Sequence, residues 1–225
     1  MDRTDLISAR AGLLALVAGL GLLSSGCRIE RAVPVEAATA PGGSFSNQAF
    51  DARAQVVDVW QAKVLPALQQ RAGEFPALRA AMQRDLDAAG AAHGHRARGE
   101  GAPWNFVTRL KGRIVQADTE LSAATAEVDV DGDGQADVTI QIGPVLRGTA
   151  LRDALPFVSF TDYANQVEFA QLGNAFNDQA AAVALKDLPR ERLVGRTVSL
   201  LGVFTTADAT EAPTILPVQM TLEAP

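Results

Sequence analysis

The clearest strand signal in the chain is the run Gly195-Arg196-Thr197-Val198-Ser199-Leu200-Leu201-Gly202-Val203-Phe204. Its β-branched and large apolar residues alternate in part with polar ones, a pattern typical of a strand. A second apolar run at 215–222 contains Pro217 and follows a short polar segment. The two runs therefore predict strands at 197–205 and 215–222, which form the closing antiparallel hairpin of a sheet.

Three more strands are predicted earlier in the chain. Val138 and Ile140, for example, alternate with polar residues, as in a half-buried strand. The predicted strands span 112–118, 124–130 and 136–142, and two shorter ones span 157–160 and 166–169. A helical turn at 151–155 and an alanine-rich helix at 174–188 are predicted before the closing hairpin.

Helices are predicted ahead of all these strands. Apolar residues recur at helical spacing at Phe50, Ala54, Val57, Trp60, Val64 and Leu68. Pro66 is expected to kink or end this helix, and a second helix is expected from about Pro76 to Gly90. The polar, glycine-containing stretch 91–103 is predicted to be a loop.

Helices followed by mostly antiparallel strands indicate an α+β fold. A five- or six-stranded sheet with a helix inserted between its middle strands has the layout of an OB-like β-barrel. We therefore expect N-terminal helices followed by such a barrel in one α+β domain over 48–225. Its helical part would span about 48–90 and its β-rich part about 104–225.

The N-terminus has the layout of a bacterial lipoprotein signal peptide. Arg3 and Arg10 lie in a short polar start, residues 11–23 are almost entirely apolar, and small residues lead to Cys27. In that pathway the cysteine becomes the first residue of the mature chain, and acyl chains such as palmitate attach it to the lipid bilayer. We expect a signal peptide at 1–26, lipidation of Cys27 and a flexible tether at 27–47.

Two alternatives stand beside lipidation: an uncleaved membrane anchor, or an ordinary signal peptide cut elsewhere. Ser24 lies three residues before the cysteine, where leucine is usual. The apolar run is shorter than the roughly 20 residues that span a bilayer. Arg28 follows the cysteine, where aspartate would favour the inner membrane in many Gram-negative bacteria. We therefore expect a periplasmic protein that is lipid-anchored, in a Gram-negative cell to the outer membrane.

Composition excludes several classes of function. The chain has 225 residues, a formal net charge of −6 and no cluster of lysine or arginine. It therefore lacks the basic surface that nucleic acids require, and we predict no nucleic-acid partner. Cys27 is the only cysteine, which excludes a disulfide framework and a thiolate metal site.

Carboxylates fall at alternate positions of the run 129–133 and again at Asp137, with glycine between them. Ca²⁺ takes about six to eight oxygen ligands, and this spacing matches the first part of an EF-hand loop. Ile140 stands where an EF-hand needs glutamate, so we expect a structural calcium loop on a hairpin instead. Its predicted ligands are Asp129, Asp131, Asp133, Gln135 and Asp137. The alternative is an acidic hairpin whose Asp-Gly pairs only form the turn.

Aromatic, amide and charged residues are mixed at 104–105 and at 147–166, as in sites for sugars and other small polar ligands. The predicted cleft residues are Trp104, Asn105, Arg147, Arg152, Asp153, Asp162, Tyr163, Asn165 and Gln166. The alternative is structural: one of the two arginines pairs with a nearby aspartate, and the aromatic rings belong to the core.

No catalytic constellation is visible. The chain lacks a Gly-x-Ser-x-Gly elbow, a recognisable Ser-His-Asp set and a phosphate-binding glycine motif. The only histidines, His93 and His95, lie in the expected loop without a carboxylate at a familiar zinc spacing. We predict no catalytic residue and no catalytic cofactor.

Four stretches of the chain carry a family resemblance. They are Trp60-Gln61-Ala62-Lys63-Val64-Leu65-Pro66, Gly101-Ala102-Pro103-Trp104-Asn105-Phe106, Asp129-Val130-Asp131-Gly132-Asp133-Gly134 and the run from Ile142 to Phe157. They resemble the uncharacterised family of bacterial predicted periplasmic lipoproteins, over nearly the whole mature chain. Members often lie beside genes for ribose-type sugar ABC importers. The resemblance therefore implies a membrane-tethered accessory to carbohydrate uptake, and it assigns no catalytic residue.

Three hypotheses follow. The first is a non-enzymatic lipoprotein, anchored in the bilayer through Cys27, that assists a sugar ABC importer by binding a small sugar or an importer component. The second is a structural or envelope-assembly lipoprotein that binds a protein or a glycan. The third is a saccharide hydrolase that uses paired carboxylates such as Asp153 and Asp162.

Overall fold

Helices come first in the fold, and five long strands follow. The computed structural model describes residues 50–96 and 101–223, so the predicted signal peptide, Cys27 and the whole of the predicted tether lie outside the described residues. The helices are α1 (Ala52–Val59), α2 (Leu65–Arg71), α3 (Phe75–Arg84), α4 (Leu86–His93), α5 (Ala150–Asp153) and α6 (Gln166–Ala184). The long strands are β1 (Trp104–Asp118), β2 (Thr125–Asp129), β3 (Val138–Gln141), β4 (Thr197–Thr206) and β5 (Thr214–Leu222). The predicted α+β class, with helices at the start, is confirmed.

The long strands pair in a closed cycle. Strand β1 runs antiparallel to both β2 and β4, β2 pairs antiparallel with β3, and β4 pairs antiparallel with β5. A short parallel pairing of β3 with β5, through Thr139–Thr214 and Ile140–Ile215, completes the cycle. Two short strands, Gly73–Glu74 and Gly94–His95, also pair with β1. Both predicted strands of the closing hairpin are confirmed as β4 and β5.

Strand β1 changes its partner at Arg113, directly after Gly112. Residues 104–113 pair with β4, whereas residues from Arg113 onward pair with β2. A Cβ on Gly112 would lie 2.5 Å from the carbonyl oxygen of Asp129, so only glycine lets β2 approach here. The strand begins at Trp104, well before the predicted start at residue 112, because its first half is committed to β4.

The N-terminal helices contain a π-helical turn before Pro66 and differ from the prediction at Asp85 and at Gly90. Residues 52–71 form one continuous helical segment, in which a π-helical turn at Trp60–Val64 precedes Pro66. Pro66 is the second residue of α2, just after the π-helical turn, so the irregular turn lies where the missing N–H of proline interrupts the helical hydrogen bonds. The predicted second helix is in fact two, because Asp85 is extended and its side chain accepts a hydrogen bond from Ala88 N at 2.9 Å. The expected stop at Gly90 is wrong, since α4 continues to His93.

The two short strands predicted at 157–160 and 166–169 are wrong. Asn165 caps α6 by accepting hydrogen bonds from Val167 N at 2.9 Å and from Glu168 N at 3.0 Å. This cap starts the helix at Gln166, well before the predicted 174. Residues Phe160–Asp162 form a single 3₁₀ turn.

Two hydrophobic clusters pack on opposite faces of β1 and β4. Val107 and Val203 face the cluster formed with α1, α2, α5 and α6. Phe106 and Phe204 face the other cluster, which lies between the strands and α3. Successive strand residues point to opposite faces, so neighbouring residues of β1 and β4 contribute to different clusters. Trp60 is 1% exposed, as expected for a core residue.

Candidate functional site

A cleft of about 740 Å³ opens between the β1–β2 loop and the β4–β5 loop. Its lining residues come from four parts of the chain: Ala123 and Thr125, Gln141, the segment 147–150, and the segments 205–208, 211–214 with Leu216. The lining combines threonine hydroxyls, one amide, one guanidinium and two carboxylates with the apolar side chains of alanine, proline and leucine. Its polar groups can form hydrogen bonds with a small polar molecule.

Gln141 holds one side of the cleft in place. Its Nε2 donates a hydrogen bond to the carbonyl oxygen of Arg147 at 3.0 Å, and its Oε1 accepts one from Arg147 N at 2.7 Å. The backbone that carries the guanidinium is therefore anchored to β3. Among the described residues, no carboxylate forms a salt bridge with Arg147, which leaves its donors available to a ligand.

The opposite side of the cleft is the β4–β5 loop. Asp208 accepts hydrogen bonds from both the backbone N and the hydroxyl of Thr210, each at 2.8 Å. These two bonds hold the pKa of Asp208 below its usual value. Thr206 in turn donates its hydroxyl to the carbonyl oxygen of Asp208 at 2.6 Å. The loop therefore presents an ionised carboxylate on a backbone that local hydrogen bonds hold in shape.

A chain of hydrogen bonds runs from the cleft wall into the fold. The hydroxyl of Thr205 donates to Asn105 Oδ1 at 2.6 Å, and Asn105 Nδ2 donates to the carbonyl oxygen of His95 at 3.2 Å. His95 Nδ1 lies 2.7 Å from the carbonyl oxygen of Asp153. Because a carbonyl oxygen only accepts, Nδ1 carries the proton. This chain ties the floor of the cleft to α5.

Arg152 and Asp153 form a buried ion pair where this series of hydrogen bonds ends. The Nε and Nη2 atoms of Arg152 lie 2.8 Å and 2.7 Å from Asp153 Oδ1. Its Nη1 donates to the carbonyl oxygen of Phe169 at 3.1 Å, and its guanidinium stacks 3.8 Å from the Phe169 ring centre. All sides of the guanidinium are thus engaged in joining α5 to α6. This is the structural alternative that the sequence left open for these two residues.

The predicted cleft residues separate into three groups. Arg147 lines the cleft, and Asn105 lies directly behind it through Thr205. Arg152 and Asp153 hold the fold together. The remaining residues do not line the cleft: Trp104, Asp162, Tyr163, Asn165 and Gln166.

Those remaining residues have local roles. Asp162 is exposed in the 3₁₀ turn, Asn165 caps α6, and Gln166 begins that helix. Tyr163 packs against Phe50 and Phe169, and its burial raises the pKa of the phenol. Asp162 and Asp153 therefore face different surroundings, the first solvent and the second a buried guanidinium.

Trp104 belongs to a polar corner between α4 and β1. Its Nε1 donates a hydrogen bond to Asp87 Oδ1 at 2.8 Å, and Arg96 stacks 3.9 Å from the centre of the indole ring. Arg96 Nη2 also lies 2.6 Å from the same carboxylate oxygen. The hydrogen bond from Trp104, followed by that from Arg96, lowers the pKa of Asp87.

The acidic loop brings together three of its five predicted calcium ligands. Carboxylate oxygens of Asp129, Asp131 and Asp137 lie within 4.8 Å of one another. Asp133 lies apart from them, and its two oxygens accept hydrogen bonds from Gln135 N and Nε2 at 2.7 Å and 3.2 Å. The group therefore offers at most three carboxylates to a cation.

Groups of the protein already bind these carboxylates. Asp129 accepts hydrogen bonds from Gly132 N at 2.6 Å and Gly134 N at 2.9 Å. Asp137 accepts one from Val130 N at 2.8 Å and forms an ion pair with Arg79 at 2.5 Å. Backbone N–H groups and one guanidinium thus supply much of the positive charge that Ca²⁺ would bring. Calcium binding stays a prediction.

Comparison with known proteins gives the family. Residues 17–221 match the model of a family described as "Predicted periplasmic lipoprotein (DUF2291)". The chain belongs to this family. The lipoprotein is therefore periplasmic and membrane-anchored, as expected. Within the described ranges, none of its helices has the length and apolar character needed to span a bilayer.

The fold of the lipoprotein is similar to that of a protein of known structure. An OB-fold protein of Thermotoga maritima MSB8, known from a crystal structure at 1.90 Å resolution, superposes with a TM-score of 0.59. The two share 13% sequence identity over 77% of this chain and 99% of that chain. Among curated proteins, none matches the chain. The likeness concerns the fold alone.

In OB-folds, strands 2 and 3 and the loops between strands 1 and 2 and between strands 4 and 5 form one face. The cleft lies among the corresponding elements of the lipoprotein. In the lipoprotein these elements contribute Thr125, Gln141, Ala123 and the residues around Asp208. Most of these positions could not be predicted from the sequence, because the pairing of strands remote in the chain brings them together.

Proposed function

We propose that this lipoprotein is a non-enzymatic binding protein that assists a carbohydrate ABC importer from the periplasmic side of the membrane. The observation that carries the proposal is the polar cleft on the OB ligand face. OB-folds bind oligosaccharides and oligonucleotides on this face. A periplasmic location and a wall of hydroxyl and amide groups favour the saccharide.

The wall chemistry supports a small sugar or polyol as the ligand. Arg147 offers several N–H donors to the hydroxyl groups of a sugar, and the carboxylates of Asp208 and Glu211 offer acceptors. The same two carboxylates would repel the phosphates of a nucleic acid. A volume of about 740 Å³ falls within the roughly 300–1,000 Å³ typical of small-molecule sites. Because none of the described residues that line the cleft is aromatic, we expect a weak, readily reversible affinity.

The membrane tether supports an accessory role. Cys27 is the only cysteine and therefore the only residue to which the thioether-linked lipid of a lipoprotein can be attached. The tether keeps the domain close to membrane proteins, so a modest affinity for an importer component suffices, since tethering raises the effective concentration. We assign the anchor to the outer membrane on the basis of Arg28.

The test is a calorimetric titration of the chain from Ala32 onward with a panel of pentoses, hexoses and polyols. Saturable heat with one sugar class is expected, and Arg147→Ala should weaken that binding about tenfold or more, since a lost multi-donor contact is worth about 1.4 kcal/mol or more. Arg84→Ala is the matched control, because Arg84 is exposed on α3 and lies outside the cleft. It should bind like the parent chain.

Two results would count against the proposal. Heat that is equal in Arg147→Ala and in the parent chain would place the ligand elsewhere. No heat with any sugar would remove solute binding and favour the second hypothesis, an envelope-assembly lipoprotein that binds a protein or glycan.

A further inference from the structure

Three large apolar side chains are exposed on one short stretch of the fold. Phe157 is 44% exposed, Phe160 is 47% exposed, and Val167 is 65% exposed. They lie between the end of α5 and the first turn of α6, at positions that the sequence analysis assigned to two short strands, 157–160 and 166–169. We call these three residues the apolar stretch. Clustered exposed apolar groups mark contact surfaces more often than single ones do.

Internal contacts hold the apolar stretch in shape. The ring of Phe160 meets that of Phe169 edge to face at 5.4 Å, and Tyr163 N donates a hydrogen bond to the carbonyl oxygen of Phe160 at 3.2 Å. Asn165 fixes the backbone at Val167 through its cap of α6. The exposed side chains are therefore presented on an ordered surface, so that little conformational entropy is lost when they are covered.

Aromatic contacts connect Phe160, one residue of the apolar stretch, to the first described residue of the domain. Phe50 is the first described residue, and its ring packs against Tyr163 at 5.6 Å. Tyr163 packs against Phe169 at 5.5 Å, and Phe169 against Phe160. Three successive ring contacts thus connect Phe50 to Phe160. Only residues 28–49 separate Phe50 from Cys27.

From this placement we propose that the apolar stretch rests on the lipid bilayer, with Phe157, Phe160 and Val167 inserted among the headgroups and upper acyl chains. Aromatic and aliphatic side chains partition favourably into this interface. A lipid anchor nearby in the chain holds the domain at a high local concentration of membrane. A small apolar contact, too weak to recruit a free protein, then suffices to orient an anchored one.

Charge around the apolar stretch selects the kind of lipid. Asp162 and Glu168 are the charged residues of 156–170, and neither lysine nor arginine occurs there. Glu168 is also held locally, since its carboxylate accepts a hydrogen bond from Ala164 N at 3.1 Å. Anionic headgroups would be repelled by these carboxylates. The stretch therefore suits a zwitterionic surface such as phosphatidylethanolamine, and apolar insertion provides the attraction.

The experiment uses the full-length, lipidated protein in phosphatidylethanolamine–phosphatidylcholine vesicles that contain brominated phosphatidylcholine, which quenches tryptophan fluorescence on contact. Phe160→Trp and Val167→Trp place the probe within the apolar stretch. Leu121→Trp and Val194→Trp are the matched controls, because these residues are 63% and 59% exposed elsewhere in the fold. The unsubstituted protein supplies the background from Trp60 and Trp104.

We expect quenching of the two probes in the stretch to exceed that of the controls severalfold, and to fall when anionic phosphatidylglycerol replaces part of the phosphatidylethanolamine. Equal quenching at all four positions, or none, would overturn the proposal. Stronger quenching with phosphatidylglycerol would overturn the assignment to a zwitterionic surface. Because no sugar is present, the result is independent of whether the cleft binds a solute.

Discussion

The indole ring of Trp104 lies directly on Gly90, so closely that a Cβ on the glycine would stand 2.1 Å from the ring. Gly90 is in the middle of α4, and Trp104 is the first residue of β1. The same ring reaches Asp87, one helical turn earlier, through its Nε1. The contact joins the last N-terminal helix to the sheet, and the first predictions follow from it.

Gly90→Ala should destabilise the protein even though alanine is the better helix former. Alanine favours a helix by about 1 kcal/mol over glycine, but the added Cβ would displace the indole ring and break its bond to Asp87. We expect a net loss of about 1–3 kcal/mol in the free energy of unfolding, measured by urea denaturation. Gly73→Ala is the control, since its nearest contact would be an ordinary 3.9 Å. Equal stability of the two variants would refute the prediction.

Asp87→Asn should lower the melting temperature in a pH-dependent way. The hydrogen bond from Trp104, and then that from Arg96, depress the pKa of Asp87 below its ordinary 3.8. A depressed carboxyl pKa stabilises the fold above the unfolded-state pKa, and the contribution is lost as pH falls through the folded-state value. The gap between parent and variant should thus be present at about pH 7 and close below 3.8.

The control for this pH dependence is Asp58→Asn. Asp58 is exposed on α1 and makes no side-chain hydrogen bond to a described residue. Its substitution should give no gap in melting temperature that closes with acid. A gap for Asp87→Asn that persists unchanged at low pH would show that the carboxylate charge is not the cause.

Asp153→Asn should be among the more damaging single changes. The side chain of Arg152 is 5% exposed, so loss of the carboxylate charge leaves a buried guanidinium without its counter-ion. Breaking a buried pair in this way costs about 3–5 kcal/mol, to be measured by urea denaturation. Asp178→Asn breaks the exposed ion pair with Arg53; the side chain of Asp178 is 60% exposed and that of Arg53 is 78% exposed. That control should lose less than about 1 kcal/mol.

The calcium hypothesis makes a sharp prediction about which aspartates matter. Added Ca²⁺ should raise the melting temperature at neutral pH, and EDTA should reverse the rise, because a ligand that binds only the folded state stabilises it. Asp131→Asn should abolish the effect, since Asp131 belongs to the group within 4.8 Å. Asp133→Asn should leave most of it, although the sequence pattern assigns both residues to the site.

A melting temperature that is indifferent to Ca²⁺ and EDTA would remove the hypothesis. The hydrogen bonds to Asp129 and the ion pair of Arg79 with Asp137 would then be sufficient to hold the loop. Arg79→Ala should in that case destabilise the protein by itself.

Elements whose signal is local were predictable from the sequence. Strands β4 and β5 agree with their predicted bounds to within a residue or so, because an apolar run between turn residues belongs to the strand itself. The segment around Val167 and Phe169 was mistaken for a strand, since two alternating apolar residues are too few to separate a period of 2 from one of 3.6. The side chain of Asn165 caps the backbone at Val167 and Glu168, and this segment therefore forms the first turn of α6. At Asp85, likewise, one capping side chain divided a predicted helix into two.

The α+β class, the lipoprotein family and the acidic turn were predictable from the sequence, since each depends on patterns within short stretches of the chain or on the order of those stretches. Tertiary structure alone decided the cleft. Gln141 and Glu211 line the same space because β3 and β5 pair in parallel, with Thr139 beside Thr214. It also decided that Arg152 is buried under Phe169 while Arg147 faces the cleft. Register between strands remote in the chain is set by the packing of the whole core, which no local pattern of residues encodes.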